Sequence, residues 1–139
     1  MVLSDPDRLT LTDVVRTEGC AMLRVAGKLD VSTEQQLLRR AGDLVDDGRH
    51  HLVLDLTALS FCDSRGLNCL LSLNWLCRRL NGSLLLAGVG SRIMELFALT
   101  GTRHLFRCFP TPGEAVGAVP LDLRPAWPPS DGRLSPSGV

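Results

Sequence analysis

The run Phe61-Cys-Asp-Ser-Arg-Gly-Leu67 holds the residue of this chain best placed to take part in chemistry. The preceding residues, His51 to Leu56, read as a buried strand, and the following ones have helical spacing, so Ser64 falls where a helix begins. The first N–H groups of a helix have no intrahelical acceptor, and the peptide dipoles add partial positive charge there. A serine in the capping position satisfies one of those donors. The same end is a ready anion site, so Ser64 is also a candidate to carry a phosphoryl group of about −1.5 to −2 charge at neutral pH. Asp63 next to it would repel that charge. The position therefore suits a local electrostatic change better than maximum stability.

A helical wheel from Ser64 separates two faces. Cys69, Leu70, Leu73, Leu76, Cys77 and Leu80 form the core side. Ser64, Asn68, Ser72, Trp75 and Arg79 form the opposite stripe, flanked by Leu67 and Leu71. A tryptophan and an arginine on an otherwise polar stripe have the make-up of a contact surface. The alternative is that Trp75 folds sideways onto the protein's own sheet or tail.

Other chemistries find little support. Ser64 lies in Cys-Asp-Ser-Arg-Gly rather than in the G-x-S-x-G elbow of hydrolases, and no base is positioned beside it in sequence. Gly88-Val-Gly90 is too short for a phosphate-binding loop and lacks its lysine. Cys20, Cys62, Cys69, Cys77 and Cys108 form no C-x-x-C pair, so free, mostly buried thiols are expected and no metal or cofactor. Lysine and arginine together number 15, as do aspartate and glutamate, so charge directs the chain to neither nucleic acid nor an anionic membrane.

The elements that must position Ser64 follow from hydrophobic period and turn residues. Leu9 to Arg16 and Cys20 to Ala26 read as a hairpin turning at Glu18-Gly19, after which Gly27-Lys-Leu-Asp30 leaves the strand. Ser32 with Gln35 has the form of a capping box, opening a helix that ends at Asp46-Asp47-Gly48. Ser83 to Ala87 is a second buried strand, preceded by Gly82 as the end of the signature helix. Ser91 is placed to cap a helix closed by Gly101. Leu105 to Phe109 follows as a short strand, and Thr111-Pro-Gly-Glu114 caps a last helix to about Val119. The order predicts an α/β domain over residues 1–119, with a mixed sheet of four to five strands and about four helices on at least one face. Residues 120–139, rich in Pro, Gly and Ser, are expected to be a disordered or loosely attached tail.

From about Leu9 to Val119 the chain resembles the STAS domain of bacterial anti-sigma factor antagonists. The likeness rests on Gly27 to Asp30, Leu52 to Leu56, the Phe61–Leu67 signature, Gly82 to Ala87, then Ile93, Leu96, Phe97, Gly101 and the terminal capping box. The resemblance implies a cytoplasmic regulator rather than an enzyme, with Ser64 as its phosphorylation site and Asp63, Arg65 and Gly66 as the site's surroundings. It implies a partner that is both anti-sigma factor and serine kinase and that brings the ATP. The unphosphorylated antagonist binds this partner and frees the sigma factor; phosphorylation breaks the complex, and a serine phosphatase resets it. The implied contact surface is Asp30 and Ser32, then Leu67, Asn68, Leu71, Ser72 and Trp75, and Ser91 with Arg92. Arg65, Asn68 and Cys62 depart from the residues common at those positions. Similar stand-alone domains also serve as cytoplasmic adaptor subunits of membrane transport complexes, a second implied role.

Overall fold

The computed structural model describes residues 8–129. Six strands form one sheet: β1 (Leu9–Arg16), β2 (Cys20–Leu29), β3 (His51–Asp55), β4 (Leu59–Cys62), β5 (Ser83–Ala87) and β6 (Arg107–Phe109). Four α-helices join them: α1 (Glu34–Asp46), α2 (Ser64–Arg79), α3 (Ser91–Thr100) and α4 (Pro112–Val116). The main strand order is β1-β2-β3-β5-β6, with β4 paired to β2. Only β1 and β2 run antiparallel, with register Leu9↔Gly27 to Arg16↔Ala21; the remaining pairs are parallel.

Strands β3 and β5 are apolar on both faces because both faces are covered. Leu23, Val25, Leu52, Leu54, Leu84 and Leu86 meet Leu37, Ala41, Leu70, Leu73, Ile93 and Phe97 of α1, α2 and α3. Met22, Val53, Leu85 and Ala87 point the other way and pack on Ala115, Val116 and Val119. Three helices therefore lie on one face and one on the other. Gly101 closes α3 in the left-handed conformation at φ 71°, as its position predicts. Thr111 accepts a hydrogen bond from the Glu114 N–H at 3.2 Å, the expected cap of α4.

The structure corrects several boundaries. β2 does not end at Ala26: Gly27, Lys28 and Leu29 stay in the sheet and pair with β4, a strand that the expected order of elements does not contain. Four residues with exposed Ser60 and Phe61 carry too little apolar period to announce a strand. Ser32 caps nothing, because Asp30 offers a charged acceptor two residues earlier and takes its hydroxyl; Thr33 stands at the cap without a side-chain cap bond. Gly90 adopts the extended cap conformation before α3, so Ser91 is already helical. After α2 it is Asn81, at φ 64°, that takes the left-handed turn ahead of Gly82.

The segment from Pro120 is also more than a loose tail as far as it is described. Residues 121–123 form a 3-10 turn, and the Thr17 hydroxyl donates to the Leu123 carbonyl at 2.7 Å. The Leu123 side chain sits over Gly19, Arg124 donates to the Val119 carbonyl at 2.9 Å, and Trp127 lies against Gly113. Residues 130–139 lie outside the described residues. Ending the chain after Val119 should therefore lower unfolding stability by roughly 1–2 kcal/mol, the scale of one partly buried leucine side chain and one hydrogen bond. Urea titration of the shortened chain checks this, and an unchanged midpoint would contradict the packing role.

Candidate functional site

The signature serine is not the cap of α2. Asp63 is: its Oδ1 accepts from the N–H groups of Arg65 and Gly66, both at 3.0 Å, while its own backbone is extended. A carboxylate in this position satisfies two orphan donors and also meets the positive end of the dipole, so it outcompetes the neighbouring hydroxyl. Ser64 becomes the first helical residue, exposed to solvent.

The loop before α2 is fastened to the end of β2. The Asp63 N–H donates to the Leu29 carbonyl at 3.4 Å. A Cβ on Gly66 would stand 2.5 Å from the same carbonyl oxygen and 2.8 Å from the Cys62 sulfur, so only glycine lets the helix start this close to the strand. The residue after Leu29 is Asp30, which places the Asp30 turn beside the signature. Asp30 Oδ1 accepts from the Ser32 hydroxyl at 2.7 Å and the Ser32 N–H at 2.9 Å. Thr33 locks the same turn, its hydroxyl accepting from the Asp30 N–H at 3.0 Å and donating to the Lys28 carbonyl at 2.8 Å. The Ser32 hydroxyl bond is the main cause holding the Asp30 carboxyl below its usual range.

Of the expected contact residues, Asn68 and Ser72 are exposed, Leu71 is half-buried and Trp75 is 60% exposed. The Trp75 ring is stacked under the Arg79 guanidinium, 5.1 Å from its centroid, rather than folded onto the sheet. Together with Leu38 and Gly42 of α1 these residues line an open groove of about 590 Å³. Leu67 is a correction. At 4% exposure it belongs to the core and offers no surface, since the wheel position flanking the stripe is turned against the sheet by the close approach at Gly66. Ser91 and Arg92 are exposed at the start of α3. They follow β5 as Asp30 follows β2, and because these strands are parallel the two loops leave the same end of the sheet.

Three residues escaped the sequence reading. Val31, 60% exposed, and Phe61, 44% exposed, place apolar surface beside the signature, with the Lys28 ammonium 5.8 Å from the Phe61 ring centroid. An apolar residue between Asp30 and Ser32 was the available signal for Val31. Glu34 had none: its Oε1 receives the Arg65 guanidinium at 2.6 Å, a contact made across 31 residues of sequence.

The thiols are unreactive by environment. Burial pushes Cys20 up to about 11 and Cys62, Cys69 and Cys77 up to about 12, so all four stay protonated at neutral pH. Burial raises the Cys108 thiol as well, but this residue is only partly buried and Arg103 offsets part of the rise. Among the described residues no group of three or more His, Cys, Asp or Glu side chains is disposed to hold a metal, and no helix is long and apolar enough to cross a membrane.

Two outcomes follow from this geometry. Gly66→Ala should cost roughly 1–3 kcal/mol through overpacking against backbone, measured as a lowered thermal midpoint; an unchanged midpoint would mean that the Leu29 carbonyl yields freely. Iodoacetamide at pH 8 should label Cys108 first in the folded protein, with mass spectrometry locating the adduct; prior labelling of Cys62 or Cys69 would contradict their burial.

Comparison with known proteins agrees with this architecture. Residues 12–115 match the STAS domain family. The chain is 32% identical over 119 residues to the anti-sigma-F factor antagonist RsfB of Mycobacterium tuberculosis, covering 84% of this chain and 94% of the relative. It is 28% identical over 93 residues to the anti-sigma-B factor antagonist of Bacillus subtilis, covering 67% of this chain and 84% of that one. A crystal structure of an anti-sigma factor antagonist from Mycobacterium paratuberculosis superposes with a TM-score of 0.73 at 30% identity, over 84% of this chain and 98% of that one. The mixed sheet, the signature loop fastened to its second strand and the matched span together make this chain a member of the STAS domain family.

Proposed function

We propose that this chain is a cytoplasmic anti-sigma factor antagonist whose docking on an anti-sigma factor with serine kinase activity is switched off by phosphorylation of Ser64. The observation that carries this reading is the course of one stripe on α2. An exposed serine at the first helical position heads a line through Asn68, Leu71 and Ser72 to Trp75, roughly 16 Å away along the axis. The names of the relatives, each an anti-sigma factor antagonist, support the same partner class.

The electrostatics supply the mechanism. A phosphoryl group on the Ser64 oxygen would stand beside the Asp63 carboxylate, which already occupies the N–H groups of Arg65 and Gly66. In free protein, water solvates the dianion. Under a docked partner, uncompensated burial of charge costs several kcal/mol. Taking a complex from about 99% to 1% formed needs about 5.5 kcal/mol, so one phosphate is enough. Leu71 and Trp75 supply the apolar area, and the loops at Asp30–Ser32 and Ser91–Arg92 flank the contact. The phosphoryl group comes from ATP held by the partner, and a serine phosphatase restores the hydroxyl.

Ser64→Ala should bind the kinase partner with unchanged affinity and take up no phosphate, whereas Ser64→Asp should bind more weakly. Calorimetry and phosphosite mapping after incubation with ATP read both; phosphate found elsewhere in Ser64→Ala, with tight binding by Ser64→Asp, would refute the assignment. Trp75→Ala should lower affinity about tenfold or more, the scale of an anchor residue worth over 1 kcal/mol. Its circular dichroism should match that of the parent chain.

A further inference from the structure

We propose that Glu34 is a positioning residue for the switch: by holding the Arg65 guanidinium against α1, it keeps the signature's one cation away from Ser64 and leaves a phosphate there without a side-chain counter-charge. The inference rests on the reading of Ser64 as phosphoacceptor and names what regulates that site.

Three observations carry it. The first is the occupied cap. The two N–H groups that a phosphate would seek at this helix start already donate to Asp63 Oδ1, each at 3.0 Å. Any compensation beyond solvation by water must therefore come from a side chain. The second is the sequence of the signature, in which Arg65 is the sole cation between Phe61 and Leu67. The third is where Arg65 goes. Its Nη2 stands 2.6 Å from Glu34 Oε1, and consecutive side chains on a helix diverge by about 100°, so the guanidinium is directed to α1 and not to its neighbour.

Burial decides how firmly it is held. The Glu34 side chain is 10% exposed and that of Arg65 55% exposed. Moving the guanidinium to a phosphate would strand the Glu34 carboxylate in a nearly dry site, and an unpaired buried charge is strongly unfavourable. The phosphate, by contrast, is exposed and has water. The pair Arg65–Glu34 therefore persists in both states, and the full negative charge of a phosphate remains displayed to an incoming partner. Other charged groups toward this end of the sheet include Asp30 and Asp63, which repel a phosphate, Asp55 at the end of β3, which is paired with Arg24, and the cations Arg8, Lys28 and Arg92. Lys28 lies over the Phe61 ring.

The test uses the full chain with phosphoserine installed genetically at position 64 and follows the second ionisation of the phosphate by ³¹P NMR titration. The unsubstituted phosphoprotein should titrate at or above the ordinary value of about 6. Glu34→Gln, which is isosteric and keeps a hydrogen-bonding amide in the site, releases Arg65 and should lower that value by about one unit. Arg65→Gln alone should leave the unsubstituted value in place, and the double variant should cancel the effect of Glu34→Gln. A value already lowered in the unsubstituted phosphoprotein overturns the proposal, whichever cation is responsible; so does an unmoved value in a folded Glu34→Gln. No kinase or partner enters the measurement, so it can fail while the docking role of Ser64 stands, and the docking role can fail while the pairing is upheld.

Discussion

The signature loop exists in its present form because a carboxylate and a missing side chain act at neighbouring positions. Asp63 neutralises the start of α2 by accepting from Arg65 and Gly66, and Gly66 lets that start press on the Leu29 carbonyl. Neither works without the other. A cap without the close approach would leave the helix start adrift from β2, and the approach without the cap would bring unsatisfied donors against a crowded strand end. From this junction the rest follows: Asp30 lies next to the signature, Leu67 turns inward, and Ser64 is left facing water.

This arrangement favours an electrostatic switch over a conformational one. Leu67, Cys69, Leu70, Leu73 and Cys77 anchor α2 in the core, and the Asp30 turn is fixed by hydrogen bonds from Ser32 and Thr33. A group added to an exposed oxygen on such a frame changes the charge presented to a partner while the frame itself stays packed. Because Asp63 already fills the helix-end anion site, the protein does not neutralise that charge for itself. The helix end, which in isolation invites a phosphate, here supplies little welcome for one.

The fold was legible where period and punctuation agreed. The apolar runs Leu52 to Leu56 and Leu84 to Ala87 announced central strands, and Gly101 and Thr111 announced a helix end and a helix start, because those features are local. β4 was not legible, since four residues with two exposed side chains carry no period, and they are a strand only because Gly27 to Leu29 offer an edge. The cap at Ser32 failed for a similar reason: the sequence shows a hydroxyl before a helix but not the competing carboxylate that takes it. Residues 120–129 have a disordered composition, yet Leu123 finds Gly19, across about a hundred positions of chain.

For the site, the sequence by itself determined the order of the elements other than β4, the exposed stripe from Ser64 to Trp75, and the burial of most of the thiols, because hydrophobic periodicity and side-chain polarity set these without reference to distant residues. Only the tertiary structure decided which neighbour caps α2, that Leu67 is core, and that Arg65 belongs to Glu34. Each of those depends on the close approach of α2 to β2 and α1, and a chain read in one dimension carries no record of such distances.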